Sequence, residues 1–144
     1  MTYKKRGLYV VLISIHGLIR GNELELGRDA DTGGQTKYVV ELARALGHHS
    51  DIEKVELFTR QIFDERVDDD YAQENEHLND HASIVRFACG PKRYIRKESL
   101  WPHLDVYIDN AIKHFRRQRR VPDVIHAHYA DAGTVLNGEI GTVG

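Results

Sequence analysis

One cysteine, one tryptophan and three prolines are all that 144 residues contain of those types, and the longest uninterrupted apolar run spans only Leu8 to Ile13. Each scarcity excludes something. A lone Cys89 rules out an intramolecular disulfide, and with nine scattered histidines and no signal-like start it points to a reducing cytoplasm. The apolar run is far too short to cross a bilayer. Neither sign of charge dominates: 20 Lys and Arg against 22 Asp and Glu leave a net charge of −2. Such a chain has no global attraction to nucleic acid or anionic membrane, so any anion site has to be built locally. What is present, 41% hydrophobic and 29% charged side chains, fits one small folded domain and not a disordered tail. At this length roughly two thirds of the unfolded surface can be buried, so the core needs no disulfide or metal to support it.

Leu8 to Ser14 is continuously apolar and rich in β-branched residues up to its final serine, which predicts a strand buried on both faces, as in a helix-covered parallel sheet. Ile15 to Gln35 has five glycines and no sustained period, and reads as a long functional loop. From Thr36 to Leu46 the apolar residues Val39, Val40, Leu42, Ala43 and Leu46 recur at helical spacing, and Gly47 follows as a stop. Val55 to Thr59 and Ile84 to Ala88 are short strand candidates, separated by a polar stretch around Asp68, Asp69 and Asp70 that reads as solvated loop. A stripe of Leu100, Leu104, Tyr107, Ile108, Ala111, Ile112 and Phe115 predicts a long amphipathic helix over Lys97 to Arg117, with Arg116, Arg117, Arg119 and Arg120 massed where they complement the helix dipole. After Pro122, Asp123 to His128 reads as a further strand. The order of elements predicts an α/β fold with a Rossmann-like, doubly wound, mainly parallel sheet. In such sheets ligands bind beyond the carboxyl ends of the strands.

Chemically unusual residues gather at those ends. Asp31-Thr-Gly-Gly-Gln35 directly precedes a helix, where paired glycines admit a ligand close to the backbone and the helix offers unpaired N–H groups to an anion. An ordinary strand-to-helix turn is the simpler account, in which Gly33 and Gly34 supply positive φ and Asp31 or Thr32 caps the helix. The pattern is neither GxGxxG nor a P-loop, so no nicotinamide dinucleotide and no Walker-type nucleotide site is supported. Lys92, Arg93, Arg96 and Lys97 follow the third strand and could grip a phosphorylated small molecule, although a charge run is more often a solvated face. His126 and His128 share one strand face, and with His16, Asp29 or Asp31 they could chelate a metal. The competing reading takes His126 as a core histidine with a backbone partner, and His128 and Tyr129 as hydrogen-bonding groups for sugar hydroxyls. No metal and no cofactor is expected. His16-Gly17, the glycine turn, the Lys92 to Lys97 patch and His128-Tyr129 together suggest a polar crevice for an anionic, hydroxyl-rich ligand such as a sugar phosphate or nucleotide sugar.

The stretch Ser14-Ile-His-Gly-Leu-Ile-Arg-Gly21 followed by Glu25 to Leu46 closely resembles the amino-terminal part of sucrose-phosphate synthases of plants and cyanobacteria. Leu57-Phe-Thr-Arg60, Asp70-Tyr71, Cys89-Gly-Pro91, Lys97-Glu-Ser-Leu-Trp101-Pro and Pro122 to Gly133 continue the pattern in order. The resemblance implies the amino-terminal, acceptor-binding half of a GT-B enzyme that transfers glucose from UDP-glucose to fructose 6-phosphate with retention. It also implies that Gly33, Gln35, Lys97 and Tyr129 contact the acceptor and that Gly34 lies near the donor diphosphate; His16, Arg96 and His128 are further candidates from their places at the strand ends and in the cation patch. The likeness stops after Gly133, so residues 1–133 read as an incomplete acceptor domain and 134–144 as a divergent tail. The second, donor-binding domain is missing from this sequence, and with it any expectation of turnover by the chain alone. Uncovered sheet surface beyond the last strand would favour self-association. A sucrose synthase-type enzyme using free fructose and a vestigial or regulatory sugar-phosphate-binding module are the alternatives.

Overall fold

A computed structural model describes residues 7–128. β1 (Leu8–Ile13), β2 (Ile52–Arg60), β3 (Asn75–His77), β4 (Ala82–Phe87) and β5 (Val124–Ala127) form one sheet in the order β3-β4-β2-β1-β5. All neighbours are parallel except β3, which lies antiparallel on β4. The parallel strands therefore run outward from β1 in both directions, as a doubly wound sheet requires, and the reversal of strand order falls between β1 and β5. α1 (Gly34–Gly47) covers one face, and α3 (Leu104–Gln118) covers the other.

Alternation along β1 divides the core. Val10 and Leu12 join Val39, Val40 and Ala43 of α1, while Tyr9, Val11, Ile13 and Ile15 join Leu104, Tyr107, Ile108, Ala111 and Phe115 of α3. Every β1 residue after Leu8 is buried, which is why the strand reads as a continuous apolar run. The α3-side layer also encloses a charge. Glu56 is 2% exposed and accepts from the Tyr9 hydroxyl; it also lies 3.0 Å from His114 Nε2 and 3.8 Å from Lys54 Nζ. Burial works against its ionisation, but the hydrogen bonds from His114 and Tyr9 prevail and hold its carboxyl below the ordinary carboxylate range.

Three expectations are corrected. The polar stretch between the second and third predicted strands is more than solvated loop: it carries a 3-10 turn (Asp69–Ala72) and the edge strand β3. The predicted long helix is broken into α2 (Lys97–Leu100), a 3-10 turn (Trp101–His103) and α3, because Pro102 cannot donate to a continuing ladder. α1 begins at Gly34, two residues earlier than the apolar period suggests. Among the described residues no helix is long and apolar enough to cross a membrane.

Candidate functional site

Residues 14–33 contain no strand or helix, yet long-range contacts fix them. Leu18 packs with Ile62 and Tyr71 in a small core of its own. The Tyr71 hydroxyl donates to Glu25 at 2.6 Å, and Arg20 lies 3.4 Å from Asp70 and 3.6 Å from Asp68. At Gly17 the backbone needs glycine: φ is +88°, and a Cβ would sit 2.5 Å from the Asp31 carbonyl oxygen. That close approach brings the end of β1 onto the turn before α1.

Gly33 and Gly34 do not supply positive φ, contrary to the simple-turn account. Gly33 is extended, with φ of −121° and ψ of −156°, Gly34 opens the helix, and neither is among the positive-φ glycines. A Cβ at either position would meet no heavy atom within 4 Å. Nor do Asp31 and Thr32 cap α1: its N-cap is Gly33, which makes no side-chain cap hydrogen bond. Asp31 Oδ2 instead accepts from the Lys97 amide at 2.8 Å, and Thr32 Oγ1 accepts from the Leu18 amide at 3.1 Å. The start of α1 is thus uncapped and open in front of both glycines, the arrangement an anion or sugar can approach.

Through Asp31 the first residue of α2, Lys97, lies beside the glycine turn, and Arg96 precedes it as an exposed N-cap. A cleft of about 550 Å³ adjoins this flank, lined by Arg28, Asp29, Asp31, Tyr94, Arg96 and Glu98 among others. The Tyr94 hydroxyl donates to Asp29 at 2.8 Å; burial and the carboxylates of Asp29 and Asp31 push this phenol up, which keeps it a donor. Lys92 is drawn away, its ammonium over the Phe63 ring at 5.8 Å. The cation patch therefore splits, with Arg96 and Lys97 at the turn and Lys92 spent on the surface.

On the opposite flank His128 follows β5, its amide donating to the Ile13 carbonyl at 2.9 Å. Its ring packs edge-on to Tyr38 of α1 at 5.9 Å and lies 4.4 Å from His126. Burial, and then His126, push the His128 imidazole below its ordinary pKa, favouring the neutral ring. His126 itself is exposed, which corrects the expectation of a core histidine: β5 is the edge strand of the described sheet, and Val124, two residues earlier, is also exposed. His16 is buried at the end of β1. Among the described residues no three His, Cys, Asp or Glu side chains are grouped to hold a metal ion. Tyr129 lies outside the described residues, as does the tail.

Two residues escaped the sequence reading. Arg60, at the end of β2, is buried and donates to the carbonyls of Cys89, Pro91 and Arg93, fixing the segment that leads to Arg96 and Lys97. Its signal was a basic residue closing an apolar strand. Ser14 is fully buried and its Oγ has no hydrogen-bond partner among the described residues, a condition shared by Gln35 Nε2 and His128 Nε2. Buried polar atoms are nearly always paired, and these three, with Arg86 Nε elsewhere in the fold, are the exceptions among the described residues.

No family model matches the chain. It is 45% identical over 92% of its length to "Probable sucrose-phosphate synthase 1" of rice, 46% over 92% to the sucrose-phosphate synthase of maize, and 48% over 90% to "Sucrose-phosphate synthase 4" of Arabidopsis thaliana. Over this span the chain is similar to sucrose-phosphate synthases. It covers only 14–15% of the length of those relatives. Its fold matches that of a sucrose-phosphate synthase from Thermosynechococcus elongatus, with a TM-score of 0.69 and 26% identity over 89% of this chain and 29% of that one. That fold thus shares the doubly wound sheet described above.

Proposed function

We propose that this chain forms the acceptor-binding side of a retaining glucosyltransferase of the sucrose-phosphate synthase type, and that the crevice between β1 and β5 holds fructose 6-phosphate. The observation that carries the reading is the uncapped, open start of α1 beside Lys97, at the point where strand order reverses. The Gly33 and Gly34 backbone can meet phosphate or sugar oxygens without Cβ obstruction. Lys97 and Arg96 supply positive charge on one flank, and Gln35 offers an unpartnered amide nitrogen. Tyr129, next to His128 in the sequence, is an acceptor contact by the family resemblance. Gly34 is the position at which a donor diphosphate would meet the helix end, and that end would stabilise charge on departing UDP. Glucosyl transfer from UDP-glucose also needs a donor-binding part, and the role proposed for these 144 residues is acceptor binding. The same reading places the protein in the cytoplasm, and the exposed Val121 and Val124 beside edge strand β5 favour self-association.

Calorimetric titration tests the assignment. Fructose 6-phosphate binds the wild-type chain, and Lys97→Ala weakens that binding by about tenfold, the scale of one charge-assisted contact. Unchanged affinity in the variant removes Lys97 from the site. A preference for free fructose over fructose 6-phosphate points instead to a sucrose synthase-type acceptor.

A further inference from the structure

Ser14 and His128 come from strands that neighbour each other in the sheet. Leu12 pairs with His126 and Ile13 with Ala127, and the His128 amide donates to the Ile13 carbonyl, so Ser14 and His128 lie side by side at the strand ends. Both face α1. Ile13 and Ile15 belong to the α3-side core, which turns Ser14 to the other face, and Ile125 and Ala127 pack on the α3 side, which turns His128 the same way. The contact of the His128 ring with Tyr38 of α1 agrees with that orientation.

Ser14 is 0% and His128 8% exposed, and Ser14 Oγ and His128 Nε2 have no hydrogen-bond partner among the described residues. An unpaired buried polar atom is costly, and it is tolerated where a ligand completes the bond. The pair is also uncharged in character, a hydroxyl next to an imidazole whose burial disfavours the cation. Arg96 and Lys97 approach the glycine turn on the other flank, where the Lys97 backbone amide donates to Asp31.

We propose that Ser14 Oγ and His128 Nε2 form a neutral floor beneath the glycine turn that reads the sugar hydroxyls of a hexose phosphate, while Arg96 and Lys97 take its phosphate. A hydroxyl both donates and accepts, so one ligand oxygen can satisfy a serine hydroxyl and a neutral imidazole in either tautomer, whereas a fully ionised phosphate oxygen only accepts. The floor therefore fixes which end of the ligand faces the sheet. This inference rests on the acceptor-site reading given above.

The test compares fructose 6-phosphate with inorganic phosphate on the full 144-residue chain, using wild type, Ser14→Ala and His128→Phe, the last of which keeps an aromatic ring against Tyr38. Each variant weakens fructose 6-phosphate by about tenfold and leaves inorganic phosphate within twofold. Ser14→Ala also keeps or raises Tm, because it deletes an orphaned hydroxyl; a side chain with a merely structural role would lower Tm when truncated. Equal loss for both ligands, no loss for fructose 6-phosphate, or a lower Tm in Ser14→Ala overturns the inference. A wild-type chain that binds fructose 6-phosphate while the variants match it refutes the floor alone. A wild-type chain that binds neither ligand refutes the acceptor site and the floor with it.

Discussion

Replacing Gly34 by alanine separates the needs of the fold from those of the ligand. Gly34 opens α1, has no positive φ, and faces a space in which an added Cβ meets no heavy atom within 4 Å. Nothing in the protein resists the substitution. Alanine restricts the unfolded chain and suits a helix, which together give up to about 0.5–1 kcal/mol of added stability and raise Tm by roughly 2–4 °C. The ligand meets the opposite effect, because the methyl group stands where phosphate or sugar oxygens have to approach the first-turn amides. Losing one such contact costs about 1.4 kcal/mol, a tenfold weaker affinity for fructose 6-phosphate. Gly33→Ala is a poorer probe, since alanine is an inferior N-cap and lowers stability for a reason unrelated to binding. Thermal unfolding and calorimetry on Gly34→Ala read both effects. A fall in Tm of several degrees would show that the space is not open, and an affinity within twofold of wild type would show that no ligand uses it.

Gly17→Ala works the other way: positive φ and a Cβ 2.5 Å from the Asp31 carbonyl oxygen predict a loss of about 1–3 kcal/mol in urea unfolding, and a loss below 0.5 kcal/mol (a rough threshold for surface sites) contradicts the close approach. Glu56→Ala strips the Tyr9 hydroxyl and His114 of a buried acceptor and costs about 3 kcal/mol, whereas a cost typical of an exposed salt bridge, below about 1 kcal/mol, would show that the carboxylate is not buried. The folded protein depresses the pKa of both Glu56 and His128, so for each group the unfolded chain binds more protons and stability falls as pH drops. The His128 contribution declines from its unfolded pKa of about 6.5 downward and that of Glu56 from about 4.3 downward. Urea midpoints across acid pH follow this order, His128→Phe flattens the upper limb, and a wild-type protein that gains stability on acidification below pH of about 6.5 disproves the assignment.

The fold was legible wherever burial decides it. β1 reads from its apolar run, α1 and α3 from their stripes, and the doubly wound order from the alternation of the two. β3 was not legible, because Asn75, Glu76 and His77 pair on an outer edge and carry no apolar face to announce a strand. The clustering of His16, the glycine turn, Lys97 and His128 followed from topology alone, since each ends or follows a parallel strand. Their individual roles did not follow. Asp31 reads as a cap for the helix next to it in sequence, yet it accepts from Lys97, 66 residues away, a pairing that local chemistry cannot reveal. Ser14 looks like the polar end of a strand, and only its burial without a partner sets it apart.

The same long-range ties explain how a loop without secondary structure can present a precise site. The crevice draws on four separate stretches of chain: the end of β1, the glycine turn, the approach to α2, and the end of β5. Each is fastened to another by a backbone or buried contact. Gly17 abuts Asp31, Asp31 accepts from Lys97, Tyr94 donates to Asp29, and His128 donates to Ile13. Arg60 secures the carbonyls before Arg96 from beneath. A site held this way has little ordering entropy left to lose when a ligand arrives, which is where a few hydrogen bonds to a small polar molecule become sufficient for binding. The surrounding contacts carry the fold, so Ser14, Gln35 and His128 can keep buried groups unsatisfied without unfolding it.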